Sequence, residues 1–180
     1  RTLACITVDD GYEDFHSVAL PILAGRGIPA TVFATAGFID GRCWLWWAAL
    51  RFLIDAHPTG TLRIELPGRT FPIEIDDAAS RHAAWSDVAE HLVPRNEARE
   101  MAFAQLQDAG RTFLPAQPTA QFRPMSWAQL SEAEAAGIEV GGHTMTHAYL
   151  PTLGGQALQF EIETGKRLLE DHLRQEIRTF

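Results

Sequence analysis

Two short runs in this 180-residue chain carry residues able to do chemistry. Asp9 and Asp10 stand side by side ahead of Gly11 in "ITVDDGYEDF", and His143 and His147 stand four apart in "GGHTMTH". Adjacent carboxylates repel each other, and both lose water if their strand end lies in a cleft. A divalent cation bound by one of them offsets that repulsion. Imidazoles at i and i+4 come to the same side of a helical turn, close enough to share an ion. Two histidines and one carboxylate, with coordination positions left open, form the donor set of a catalytic metal rather than a structural one. Such an ion lowers the pKa of water toward 7, and the other aspartate can then accept a proton as general base. Neighbouring strand residues point to opposite faces, so both aspartates reach one site only if the chain turns, which Gly11 permits. Spacing alone leaves open which aspartate is the ligand and which the base. Neither run is specific by itself: seven histidines give an HxxxH by chance readily, and turns can hold exposed aspartates. Their combination carries the inference.

Both runs need strand ends to position them. The apolar run Leu3–Val8 predicts a strand, and Asp14–Ala24 a helix with Val18, Leu20, Ile22 and Leu23 as its apolar members. Gly25, Gly27 and Pro29 end that helix, and Ala30–Ala34 reads as a second strand, which makes a βα unit of a parallel sheet. The rhythm then stops. "CWLWWAALRFLIDAH" predicts an apolar helix, and Leu62, Ile64, Leu66 with Phe71, Ile73, Ile75 alternate about Pro67-Gly68 as a hairpin. Helices follow at Ala78–Leu92 and Asn96–Phe113, then a proline-rich loop. Residues from about 40 to 124 therefore read as an insertion. The βα pattern resumes with Ser126 capping a helix Trp127–Ala136, Gly137 ending it, and a short strand Ile138–Val140. A last helix spans about Gly155–Leu173, and "EIRTF" suggests a further strand. Each polar run thus follows a strand, at the edge where α/β proteins build active sites.

Composition narrows the classes. A formal net charge of −8 argues against nucleic acid as the main partner, since phosphate binding needs a basic face. No apolar run approaches the 20 or so residues of a membrane-spanning helix. The sequence opens at Arg1 with no signal-peptide pattern, which suggests a mature or trimmed chain and leaves the compartment unread. Cys5 and Cys43 form no CxxC pair and are expected to be two buried thiols.

"TVDDGYED" and "GGHTMTH", with "PATVF" and "MSWAQLSEAEAAGIEVG" around them, resemble the polysaccharide deacetylases of the NodB-homology type, carbohydrate esterase family 4. The family's first motif is T-F-D-D-G, from which Val8 departs. Its second, H-S/T-x-x-H, is matched in full by His143, Thr144 and His147. The resemblance covers roughly residues 1–40 and 124–180. It implies an α/β fold, a distorted (β/α) barrel with only its first strands in this chain and a helix and hairpin region inserted. The 180 residues would be the N-terminal part of one such domain. It further implies one divalent ion, zinc first, with cobalt or nickel also fitting, and hydrolysis of N-acetyl groups on an amino-sugar polymer. Acetylated carbohydrate would be the partner, and family members are often extracytoplasmic. Carried over, Asp9 resembles the general base, Asp10, His143 and His147 the metal ligands, and Thr144 a hydroxyl that steadies the histidine loop. The family's later motifs bring a base-orienting arginine, an oxyanion amide and a general-acid histidine. They follow the next strand and are unmatched here, so these 180 residues alone are expected to be inactive. "FRP" at Phe122–Pro124 precedes the histidine motif and is not carried over.

Other residues draw plainer readings. His16 is expected as a polar residue of the first helix, and Trp44, Trp46 and Trp47 as core of the insertion. Tyr12 and Tyr149 follow the two motifs and are weaker candidates to line a pocket. His57, His82, His91 and His172 fall in polar helical stretches. Two other functions fit the motifs: a non-haem iron enzyme, since iron also takes two histidines and a carboxylate, and a deacetylase-like fold kept only for carbohydrate binding. The spare aspartate favours hydrolysis.

Overall fold

Short apolar runs alternating with glycine- and proline-bounded helices give the following elements in the computed structural model, which describes residues 4–180. Strand β1 (Thr7–Asp10) leads through a π-helical turn, Phe15–Ala19, into α1 (Leu20–Gly25). Next come β2 (Thr31–Ala34), α2 (Ala36–Ile39) and α3 (Trp46–Ala56). A hairpin of β3 (Gly60–Leu66) and β4 (Arg69–Ile75) precedes α4 (Ala78–Leu92) and α5 (Asn96–Gly110). After α6 (Trp127–Ala135) and β5 (Glu139–Gly142), α7 (Gly155–Gln159) and α8 (Gly165–Leu173) are joined by a π-helical turn, Phe160–Thr164.

The chain divides into two compact units. The first takes the chain up to Trp44, Gln117–Ala148 and Gly154–Phe180. Its frame is a parallel sheet in the order β1-β2-β5. Register pairs Asp10 with Ala34 and Ala34 with Gly142, so all three strands end level. Val32 and Ala34 of the central strand are fully buried, with Phe15, Leu20, Leu130, Val140 and Leu169 in the same core. Helix α6 starts at a reciprocal cap. The Ser126 hydroxyl accepts from the Gln129 amide and the Gln129 side chain accepts from the Ser126 amide. This parallel sheet with helices packed on it is the α/β fold class that the sequence motifs imply.

The second unit, Leu45–Ala116 with Tyr149–Leu153, is the hairpin with α3, α4 and α5. Leu62 faces Ile73 and Ile64 faces Phe71 on the buried side of the hairpin. At its tip Gly68, with φ +82°, takes the left-handed step that a Pro-Gly turn needs.

Several expectations are corrected. Leu3 lies outside the described residues, and β1 begins at Thr7, because its partner β2 begins only at Thr31, two residues past Pro29. The two aspartates are consequently the last residues of the strand rather than the turn after it. Cys5, ahead of the first paired residue of an edge strand, is exposed, whereas Cys43 is half-buried. Burial, and then the charge of Glu161, pushes the Cys43 thiol up to about 11. Phe15, Leu20 and Leu23 form the inner face of the first helix, while Val18 and Ile22 point outward. "EIRTF" is no strand: Gly142 N–H donates to Thr179 C=O (2.9 Å), and one such bond falls short of a ladder. The three tryptophans are half-buried rather than core, with Trp46 under the Arg99 guanidinium. His57 is buried, its Nδ1 2.8 Å from Pro58 O, and His172 stacks on Trp127 at 3.9 Å.

Candidate metal centre

Parallel strands lie about 4.8 Å apart, so β1 and β5 stand about 10 Å apart across β2. A carboxylate on β1 and histidines after β5 meet only if both chains turn inward past Ala34. Asp10 does so by adopting φ +74°, followed by Gly11 at φ +92°, with Gly11 N–H donating to Asp9 C=O (2.9 Å). Beyond β5 the turn is made by Thr144 (φ +70°) and His147 (φ +57°). The histidine motif is therefore a left-handed loop and not the helical turn its spacing suggested. Three of the five non-glycine residues with positive φ among the described residues lie in this site. Each costs roughly 1–3 kcal/mol and persists only where surrounding contacts over-determine it.

Those contacts are present. Thr35 N–H donates to Asp10 C=O (3.1 Å) and the Thr35 hydroxyl to His143 C=O (3.1 Å). His143 N–H donates to Ala34 C=O (3.0 Å), while Ala36 and Gly37 donate to the carbonyls of Thr144 and Met145 (3.1 and 2.9 Å). The Thr144 hydroxyl accepts from His147 N–H (2.8 Å). Gly37 is required here, since a Cβ would stand 2.5 Å from Met145 O. Gly141 is required as well, because a Cβ would stand 2.5 Å from the Phe33 ring, which lies 6.4 Å from the His143 ring.

The result is a triangle of donor atoms. His143 Nε2 and His147 Nε2 lie 3.6 and 3.5 Å from Asp10 Oδ1 and 3.1 Å from each other. Donors held 2.0–2.1 Å from a tetrahedral ion stand about 3.3 Å apart, so one divalent cation fits these three atoms with a coordination position to spare. Electrostatics agree. Burial first, and the Asp9 charge second, push the Asp10 carboxyl up to about 6, so its ionised form lacks compensation that a cation would supply. Burial lowers the pKa of His143, which favours the neutral, ligating imidazole. Asp9 itself is exposed and outside the triangle, yet its charge acts on both Asp10 and His143.

Around this point the segment before α6 lies against the DDG loop. Glu13 N–H donates to Arg123 C=O (3.0 Å) and Met125 N–H to Gly11 C=O (2.9 Å). A polar cleft of about 630 Å³ opens there, lined by Glu13, Asp40, Gln117, Arg123 and Gln129 among others. Tyr12 packs edge-on against Phe38 at 5.2 Å, and His16 Nε2 lies 2.8 Å from Glu132 Oε2. Tyr149 belongs to the other unit, where its N–H donates to Asn96. Sequence reasoning missed Thr35, Gly37 and Glu161. For Glu161 a signal existed: with Gly165, Leu169 and Leu173 it forms one i, i+4 stripe, a carboxylate on a buried helix face.

Fold and site together define an α/β protein with a candidate divalent-metal centre at the C-terminal edge of a parallel sheet. The chain belongs to the polysaccharide deacetylase family, whose model matches residues 1–180. Among solved structures it is similar to the Streptococcus pyogenes deacetylase PplD in complex with acetate, at 16% identity and a TM-score of 0.50. That match covers 96% of this chain and 42% of the other. A second is the deacetylase domain of BpsB from Bordetella bronchiseptica, at 19% identity, TM-score 0.44, and coverage of 96% and 52%. The chain thus spans about half the length of these structures. No curated protein matches its sequence. Among the described residues no helix is long and apolar enough to cross a membrane.

Proposed function

We propose that this chain carries the metal-and-base half of a hydrolase that removes N-acetyl groups from an amino-sugar polymer of the chitin, peptidoglycan or exopolysaccharide kind. The supporting observation is the convergence of Asp10, His143 and His147 on one point, their ligand atoms within 4.8 Å of one another, in a chain of this family. These three would hold a divalent cation, zinc by the nitrogen and oxygen donor set, with cobalt or nickel as substitutes. When bound, the cation supplies Lewis acidity that activates water near neutral pH and offsets charge on the acetyl oxygen.

Asp9 lies beside the triangle and outside it, and serves as general base, taking a proton from the attacking water. A C–O bond forms at the acetyl carbon, the C–N bond breaks, and the nitrogen leaves as an amine once it gains a proton. Thr144 fixes His147 through its hydroxyl. Asp10, His143 and His147 are committed to the cation, so among these four residues only Asp9, carrying the proton it took from the water, can return one to the amine. With no separate acid or oxyanion donor assigned among them, the 180 residues alone are expected to turn over slowly. A base next to the ligands favours hydrolysis over the iron chemistry that the same donor set allows. Residues from about 40 to 124 are an insertion in this domain, supported by Leu45–Ala116 lying in a unit apart from the sheet.

The test is acetate release from acetylated chitooligosaccharides by the complete protein, with and without chelator, and with Asp9→Asn. The variant should keep its metal and lose about 10²–10⁴-fold in rate. Unchanged release after chelation would refute the metal role. Loss of metal from Asp9→Asn would show that the roles of the two aspartates are reversed.

A further inference from the structure

A loop with two left-handed, non-glycine residues in five does not hold its shape unaided. One side of it, the carbonyls of Thr144 and Met145, is bonded by the amides of Ala36 and Gly37. The other side meets a single carboxylate. Glu161 Oε2 accepts from Met145 N–H (3.1 Å) and Thr146 N–H (2.8 Å), and Glu161 Oε1 accepts from the Thr146 hydroxyl (2.6 Å). Glu161 is only 4% exposed. It lies in the π-helical turn between α7 and α8, an irregularity often found where a helix serves a site. One turn further on, Gly165 brings the helix flush against the loop: a Cβ there would stand 2.9 Å from Thr144 C and 3.0 Å from Met145 N. Two features on successive turns of one helical face, a converging acceptor and a missing side chain, thus fit the same five residues.

We propose that Glu161 is a positioning residue for the metal centre, with Gly165 as the seat that lets it reach. By fixing the amides of Met145 and Thr146, between the two histidines, it holds His143 Nε2 and His147 Nε2 at the spacing one ion needs. The inference rests on Asp10, His143 and His147 being the metal site. Three donors converge, and a carboxylate offers two acceptor oxygens where an amide offers one. Glu161→Gln should therefore be intermediate and Glu161→Ala severe, and Gly165→Ala should weaken the site by displacing the loop.

Zinc affinity, measured by competition with a chromophoric chelator, should fall about 10–100-fold in Glu161→Ala, as when a group orienting a ligand is lost, and by less in Glu161→Gln. In the metal-free protein, hydrogen exchange at the Met145 and Thr146 amides should quicken in both variants while exchange in β2 and α6 stays at the wild-type rate. Wild-type zinc affinity in folded Glu161→Gln and Gly165→Ala would overturn the proposal. So would an increase in exchange spread evenly through the chain, which marks a purely structural role. If Glu161→Ala does not fold, the other two variants decide. If wild type binds no zinc, the metal reading fails, and the exchange measurement still reports whether Glu161 holds the loop.

Discussion

Asp10→Asn separates what the site does for function from what it does to stability. The carboxyl of Asp10 is pushed from 3.8 to about 6, by burial and then by the charge of Asp9. A folded-state pKa above the unfolded value means that the folded chain holds this proton more tightly. The stabilisation is present in full below pH 4 and is lost as pH rises through about 6. A shift of this size corresponds to about 3 kcal/mol at most in the metal-free protein at pH 8. Asparagine has nearly the same shape and no charge to desolvate, so Asp10→Asn should stabilise the metal-free chain at pH 8. The rise in melting temperature should reach roughly 6–12 °C if the whole amount appears, at about 2–4 °C per kcal/mol for a chain of this size. The gain should fade below pH 6 and vanish near pH 4. Zinc should reverse the order, raising the wild-type transition and leaving the variant unmoved. Thermal melts in chelator and in zinc at pH 4, 6 and 8 check this. A variant less stable than wild type in chelator at pH 8 would refute the reasoning, because Asp10 would then be compensated without a cation.

Other perturbations have defined outcomes. Gly37→Ala places a Cβ 2.5 Å from Met145 O and should lower stability by about 1–3 kcal/mol while weakening zinc binding, read by denaturant titration and chelator competition. Ser126→Ala removes one half of the α6 cap and should lower stability by about 1 kcal/mol without touching zinc affinity. Wild-type zinc affinity should fall at least about tenfold per pH unit below pH 6, as protons compete for Asp10 and for the two imidazoles, and level off toward pH 8; a flat profile from pH 5 to 8 would contradict a site built from these three ligands.

Much of this was legible in the sequence, for physical reasons. Helix α4 has the bounds Ala78–Leu92 read from the sequence, and the hairpin follows from strict alternation about Pro67-Gly68. Adjacent aspartates after an apolar run, and paired histidines after a Gly-Gly step, mark two strand ends by residue type alone. What was not legible depends on tertiary contacts. The i, i+4 spacing of His143 and His147 suits a helix, yet Thr35 and Gly37 on one segment and Glu161 on another impose a left-handed loop from two separate places in the chain. The inward face of the first helix is set by Phe15 and Leu23, which burial selects over the equally apolar Val18 and Ile22. Cys5 sits in an apolar run but ahead of the first pair of an edge strand, and hydropathy does not reveal edges.

The most direct test is the zinc content of the purified chain and of His147→Ala, by elemental analysis after dialysis against trace metal. Three donors 3.1–3.6 Å apart should retain close to one equivalent in the wild type. His147→Ala, with one histidine and one carboxylate left, should retain almost none. Equal metal in the two proteins, or none in either, would contradict the account.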